Sequence, residues 1–432
     1  MAIAAAGFTW LTPIAVQFTG KDSPIPMTEV QRSWVTACSS IGNTLSCIPV
    51  GIMAQKWGRK PTLFLAGPIS LCGWLLMITT RSLPILYLAS ILQGFVMATA
   101  FTICSVYIAE IATPRIRGAL CGQFMTLFYL GNVYVDIAAY FIDYTVYLYI
   151  LAVLPAVYTV AFYFMPETPS QLIMQGKDGR SINVLTWLNP KSSQYINDKI
   201  IEIKSSMKKE FSYKDFLYVR HHRKALLIVV IAYCLKCFGG QISLQVYVTQ
   251  LFNSLTGTSD YSVILTIVLN IILCITCFIS GFISDILGRR PVMYITSFLS
   301  GIFNLIITIY FFTYDTDMKH YSSTNLWIIF LSMTLSLTLG NASMSILLPT
   351  VMAEYFTTEA RSLGSAIAHA IAGVAAFISI IAYQYIKDSI GDYFNFFIFA
   401  MCSFAASAVI YFYIRETARK SLERIQREVE AY

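Results

Sequence analysis

Apolar windows of about 20 residues recur along the chain at 2–18, 33–55, 61–80, 84–108, 118–141, 146–165, 225–252, 262–284, 291–313, 325–350, 362–386 and 393–414. A helix rises about 1.5 Å per residue, so windows of this length match the roughly 30 Å hydrocarbon layer of a bilayer. A polar stretch from Pro166 to Lys224 divides the twelve windows into two sets of six. The pattern predicts an all-α membrane protein of twelve transmembrane helices in two six-helix bundles. Residues 1–165 and 225–414 form the bundles, 166–224 a linker with short helices, and 415–432 a polar tail.

Within the linker, helical patterns are visible at Ser181–Leu188 and Tyr195–Met207, the second with an isoleucine face suited to lying under a bundle. The first window starts at Met1 without a basic leader or a small-residue cleavage site, so a cleaved signal peptide is not expected.

Composition agrees with the windows. The chain is 56% hydrophobic and 12% charged, with a mean hydropathy of +0.64. A soluble domain carries about a quarter charged residues, so both a soluble enzyme and a disordered chain are disfavoured. A net charge of +7 is compatible with nucleic-acid binding, but its distribution argues for a membrane. Of the 30 Lys and Arg, 24 fall in the loops after the even-numbered spans, in the linker or in the tail. That imbalance predicts that this side is cytoplasmic, with both termini inside. Nucleic acid is further disfavoured because no basic patch is interleaved with aromatics.

Ten cysteines all lie within the predicted spans. Cys234-xx-Cys237 and Cys274-xx-Cys277 have metal-like spacing, yet one helical turn between small packing residues explains them better. No metal or cofactor is expected.

A charged cassette occurs once in each half. The first copy is Gly51-xxx-Gln55-xx-Gly58-Arg59-Lys60 with Glu110 and Arg117 beyond it. The second is Gly281-xxx-Asp285-xx-Gly288-Arg289-Arg290 with Glu354 and Arg361. A duplicated motif implies a duplicated fold unit. In each copy the glutamate precedes its arginine by seven positions, near the cytoplasmic end of a span. Partly desolvated pairs of this kind can latch one half to the other and separate when the protein opens.

These loops resemble those of the sugar porter family of the major facilitator superfamily. Pro166-Glu167-Thr168-Pro169 is similar to its Pro-Glu-Ser-Pro motif. Arg415-Glu416-Thr417 through Ser421-Leu422-Glu423-Arg424-Ile425 is similar to its Pro-Glu-Thr…Ser-Leu-Glu-x-Ile tail. Trp10-Leu11-Thr12-Pro13 resembles a stretch of insect facilitated trehalose transporters. The resemblance implies the major facilitator fold and facilitative carbohydrate transport, of trehalose or a hexose, by alternating access. A plasma-membrane location, a monomer, and partners limited to a sugar and the bilayer are implied with it. Glu167 and Glu416 join Arg59, Lys60, Glu110, Arg117, Asp285, Arg289, Arg290, Glu354 and Arg361 as gate residues.

The chain departs from the family at several places. Gln55 stands where an acid is expected, which weakens the first latch. Where the family has Gln-Gln-Leu-Ser-Gly-Ile-Asn, this chain reads Lys236-Cys237-Phe238-Gly239-Gly240-Gln241-Ile242. The tryptophan before Glu354 is missing, and Ser90 replaces a gating arginine. Polar candidates for the substrate site are therefore chosen by residue type: Lys236, Gln241, Gln245, Tyr247, Asn270 and Asn341. His369 reads as a packed interior histidine.

Three readings of Lys236 stay open at this level: a partner for an anionic substrate group, an ion pair with Asp136, or a relaxed, nontransporting pocket. Residues 2–18 contain no acid, which favours uniport over proton coupling. The alternatives to sugar transport are a same-fold carrier of another small, anionic solute and a nontransporting nutrient sensor. No nucleophile–base pair or phosphate loop points to an enzyme.

Overall fold

The computed structural model describes residues 1–15, 25, 27–111, 123–188, 196, 200–201, 220–314, 323–355 and 361–416. Its elements are α1 (Ala2–Thr9), α2 (Glu29–Lys56), α3 (Arg59–Thr79), α4 (Leu83–Thr99), a π-helical segment (Ala100–Cys104), α5 (Ser105–Ile111), α6 (Phe124–Phe141) and α7 (Tyr144–Tyr163). The short helices α8 (Pro169–Met174) and α9 (Asp178–Leu188) follow. The second half holds α10 (Arg220–Phe238), α11 (Gln241–Thr256), α12 (Ser259–Leu287), α13 (Arg289–Tyr314), α14 (Ser323–Asn341), a π-helical segment (Ala342–Leu347), α15 (Leu348–Tyr355), α16 (Arg361–Ser389) and α17 (Asp392–Tyr413). Among the described residues, eleven helical runs are long and apolar enough to cross a membrane.

The first predicted span is the exception. Its α-helix stops at Thr9, and turns carry the chain on to Ile14. Pro13 accounts for the stop, because its ring would collide with the carbonyl four residues back and it has no N–H to continue the ladder. The turn is held by its neighbours: the Tyr147 hydroxyl donates to the Trp10 carbonyl at 2.6 Å, and Thr9 Oγ1 lies 3.0 Å from Asn132 Oδ1.

The seventh span also differs from expectation. Rather than one helix over 225–252, it is α10 and α11 with a break at Gly239-Gly240. Gly240 has a left-handed φ of +85°, and a Cβ there would lie 2.5 Å from the Phe399 ring. Two consecutive glycines weaken the helix, and only glycine fits so close to that ring. Of the predicted linker helices, Ser181–Leu188 lies within α9, whereas most of Tyr195–Met207 lies outside the described residues.

The internal repeat is visible in geometry. The fourth and tenth spans each carry a π-helical segment followed by a short α-helix that bears the cassette glutamate. Helices α3 and α13 each begin after a glycine of positive φ, Gly58 at +119° and Gly288 at +94°. A glutamate from further along the chain seats on each helix start. Glu167 accepts from the Lys60 N–H at 3.1 Å, and Glu416 accepts from the Arg289 and Arg290 N–H groups at 3.0 and 3.1 Å. An acid at a helix N-terminus meets both unsatisfied donors and the positive end of the helix dipole.

The close seat leaves no room for a side chain, since a Cβ on Gly288 would lie 2.8 Å from Glu416 Oε2. Gly288→Ala is expected to cost about 1–2 kcal/mol from the left-handed backbone alone. Gly51→Ala is the control, because a Cβ at Gly51 meets nothing within 4 Å. Thermal melting of the detergent-purified variants should show a lowered midpoint for the first and none for the second.

Candidate functional site

Among the described residues, the halves meet chiefly along α2 with α16 and α6 with α12. On the first, helices approach through a small residue, since a Cβ on Gly373 of α16 would stand 3.2 Å from Asn43 Nδ2 of α2. Small residues let membrane helices pack closely where no hydrophobic drive exists. On the second, Asn270 Nδ2 of α12 donates to Asp136 Oδ2 of α6 at 2.6 Å, with both residues buried.

At the Glu29 end of the bundle the first seam is closed by polar contacts. Gln384 Nε2 of α16 donates to Glu29 Oε2 of α2 at 3.1 Å and to Asp388 Oδ1 at 2.9 Å. Arg32, only 3% exposed, donates to the Ala15 carbonyl at 2.9 Å and stands 3.7 Å from Glu29. Trp34 of α2 meets Phe377 of α16 edge-on, with centroids 5.8 Å apart. Behind them Tyr247 stacks on Tyr383 at 4.6 Å and donates to the Ile380 carbonyl at 3.1 Å.

The Arg59 end holds the larger opening. A cavity of about 350 Å³ lies between the last turns of α2, the first π-helical segment with the start of α5, and the start of α16, with Ile52, Gln55, Thr102 and Ala366 on its walls. Beside it, Arg59 Nη2 pairs with Glu110 Oε1 at 3.1 Å. The same guanidinium donates to Gln171 Oε1 on α8, and Gln171 Nε2 donates to the Gln55 carbonyl at 3.0 Å. Arg59 thus ties three elements of the first half together. In the second half, the Arg290 guanidinium donates to the Tyr411 carbonyl and lies over the Tyr411 ring at 5.3 Å.

Arg117 and the side chains of Asp285, Glu354 and Arg361 lie outside the described residues. In this conformation the contacts of Arg59, Lys60, Glu110 and Glu167 lie within the first half and the linker that follows it, and the Arg290–Tyr411 contact and the seat of Glu416 on α13 lie within the second half and its tail.

Between the two ends sits a central cavity of about 80 Å³, lined by α1, α2, α4, the first π-helical segment, α6, α10, α11, α15 and α16. Lys236 is the one expected binding candidate on its wall. Gln241 faces a smaller pocket lined by Ser297, Ser300, Ser343 and Ser403, and a Cβ on Gly340 would lie 2.5 Å from its side-chain carbon. Gln245 Nε2 is buried with no hydrogen-bond partner in the structure. Tyr247 belongs to the closed Glu29 end, Asn270 holds Asp136, and Asn341 donates to the Leu337 carbonyl while accepting from Ser345. Pairing of Lys236 with Asp136, one of its three readings, is not made, since the bonded partner of Asp136 is Asn270.

The other lining residues include Phe8, Asn43, Phe101, Tyr233 and His369. The aromatic ones carry no sequence signal, because an aromatic on a membrane helix looks the same whether it faces lipid, core or cavity. Ser40 and Asn43 did carry one: polar residues three apart on an apolar span share a helix face.

The family model described as sugar (and other) transporter matches residues 3–429. The chain belongs to the sugar transporter family. It is 25% identical over 411 residues to the facilitated trehalose transporter Tret1 of Aedes aegypti, covering 93% of this chain and 50% of that protein. It is 24% identical to the Culex quinquefasciatus Tret1, covering 93% and 78%. The chain therefore spans about half the length of the Aedes relative.

Among solved structures, the proton:xylose symporter XylE bound to 6-bromo-6-deoxy-D-glucose superposes with a TM-score of 0.78 at 18% identity, covering 99% of this chain and 96% of that one. The inward open XylE from E. coli superposes at 0.76 and 16% identity, covering 99% and 97%. The fold of this sugar transporter family member is the major facilitator fold.

Proposed function

We propose that this chain carries a carbohydrate across a membrane by alternating access, as a uniporter of trehalose or a hexose. The observation that supports this reading most directly is the asymmetry of the seam between the halves. Glu29, Gln384 and the Trp34–Phe377 contact close one end, while the other opens into a 350 Å³ cavity. A carrier that opens one side at a time needs that asymmetry and a way to invert it. Membership of the sugar transporter family and likeness to proteins named trehalose transporters favour carbohydrate as the cargo.

In this reading the halves are 1–165 and 225–414, linked by 166–224 and followed by the tail at 415–432. The Arg59 end is cytoplasmic by its excess of basic residues, and the membrane is the plasma membrane. Arg59, Lys60, Glu110 and Glu167 in one half, with Arg289, Arg290 and Glu416 in the other, hold the helix ends rigid so that each bundle moves as a body. Arg117, Asp285, Glu354 and Arg361 complete the latch across the halves in the opposite state. The carrier works as a monomer.

Purified protein in liposomes tests the reading. Saturable uptake of trehalose or glucose, with an initial rate unchanged by a pH gradient, is the expected result. Absence of sugar flux from protein that melts cooperatively would contradict it.

A further inference from the structure

The central cavity carries a basic side chain, Lys236, for which the described residues supply no carboxylate partner. Lys236 stands in the last turn of α10, at the break before α11. An ammonium in the middle of a membrane protein costs several kcal/mol unless water, an acid or a ligand meets it. Among the described residues, no carboxylate forms an ion pair with it. Asp136, the nearest expected partner by sequence, is bonded to Asn270. What Lys236 does meet is the face of Tyr233, with Nζ 5.9 Å from the ring centroid, the central cavity, and the small pocket that it shares with Gln241 and Ser403.

Three further features share that space. The Tyr233 hydroxyl is buried and has no hydrogen-bond partner in the structure, although the residue lines the cavity. Helix α11 starts at Gly240 with no side-chain cap, and Ile242 of its first turn is on the cavity wall. That start is shared with the small pocket lined by Gly239 and Gln241, so the opening N–H groups and positive dipole end of α11 lie between the two spaces. His369 and Asn43 add polar edges. A cation, an unsatisfied hydroxyl donor and a helix N-terminus around one cavity are the elements of an anion site.

We infer that the cavity binds the carboxylate of an acidic carbohydrate, such as a hexuronate, with Lys236 as its counter-ion and Tyr233 as a hydrogen-bond donor. The cavity of about 80 Å³ holds several water-sized groups, enough for the carboxylate end. The sugar ring takes the space that opens when either end of the seam parts. This goes beyond the transport reading by adding acidic sugars to its neutral cargo; it rests on that reading only for the movement of cargo, and the binding step stands separately.

The experiment separates the two. Equilibrium binding of radiolabelled glucuronate, glucose and lactate to the detergent-purified full chain is compared for the wild type, Lys236→Gln and Lys236→Arg, with size-exclusion profiles and melting curves confirming the fold. Glucuronate should bind at least about tenfold tighter than glucose, and Lys236→Gln should bring the glucuronate-to-glucose affinity ratio down to about one. Lys236→Arg should keep most of it. Should lactate bind as tightly as glucuronate, the sugar ring contributes nothing and the carbohydrate part of the inference is overturned.

Equal binding of glucuronate and glucose, unaltered by Lys236→Gln, overturns the whole inference. A lowered melting point in Lys236→Gln with no change in ligand preference does the same, and assigns the lysine to neutralising the C-terminal carbonyls of α10. Liposome flux is read in parallel. Glucose uptake without a glucuronate preference removes the inference and leaves the transport reading intact, whereas glucuronate binding without any flux removes the transport reading alone.

Discussion

Gly94→Val is expected to prevent the protein from accumulating as a stable bundle. Helices α2 and α4 cross where Gly42 faces Gly94, and neither has space for a side chain. A Cβ on Gly94 would stand 2.6 Å from the Asn43 amide nitrogen and 2.7 Å from Gly42 Cα. One on Gly42 would stand 2.9 Å from the Ile91 carbonyl carbon. These are backbone atoms, so no rotamer change relieves the overlap and the helices must separate. Overpacking of that kind costs about 3 kcal/mol or more, a large share of the total stability of a domain.

The damage would not stay local, because α2 carries Asn43 and Thr44 on the seam with α16. Pushing α2 away from α4 drives it into Gly373, where the halves already touch. Fluorescence-detected size exclusion of the tagged variant should show aggregate or no protein, against a single peak for Gly51→Ala. A monodisperse Gly94→Val with an unchanged melting point would show that the crossing is not as tight as described.

The second large effect concerns Arg59. Its guanidinium holds Glu110, Gln171 and, more weakly at 3.5 Å, the Ala54 carbonyl. Arg59→Ala removes all of these and strands Glu110, whose Oε2 is already buried with no hydrogen-bond partner in the structure. The pair is partly accessible, with side chains 14% and 17% exposed, so the cost falls below that of a fully buried pair, at about 1–3 kcal/mol. Glu110→Gln removes one charge but keeps a side chain able to bond Arg59, so it should be milder.

Combining the two discriminates the causes. If the stranded acid dominates, Arg59→Ala with Glu110→Gln should be more stable than Arg59→Ala alone. A double-mutant cycle on melting midpoints measures that coupling. Sugar uptake by Arg59→Ala should fall by at least about tenfold even where folded protein is recovered, because α3, α5 and α8 are no longer fixed to one another. Uptake equal to the wild type would remove Arg59 from the gate.

Much of this architecture is legible in the sequence because bilayer thickness fixes window length. Eleven of the twelve predicted spans have a counterpart of membrane-crossing length among the described residues. The breaks at Pro13 and Gly239-Gly240 are also carried by local chemistry, but an apolar window smooths over them. Proline and glycine act on single backbone positions, whereas a window averages about 20 residues.

The central cavity was harder to read. Lys236 is conspicuous because charge is costly at that depth. Phe8, Phe101 and Met125 are not, since apolar side chains facing a cavity, a neighbour or lipid share one composition. Gln241, Asn270 and Asn341 illustrate the converse. Their polarity marks them equally for ligand binding and for helix contacts, and in this conformation Asn270 bonds a neighbouring helix and Asn341 its own. Only the three-dimensional arrangement separates those cases.

The most direct test of alternating access is a pair of spin-label distance measurements on a cysteine-light protein in liposomes. One pair, Ile52 with Ala366, spans the cavity at the Arg59 end, and the other, Trp34 with Phe377, spans the closed end. On adding saturating sugar, the first distance should shorten in the population for which the second lengthens. Both distances staying fixed, or both lengthening together, would contradict a carrier that opens one side at a time.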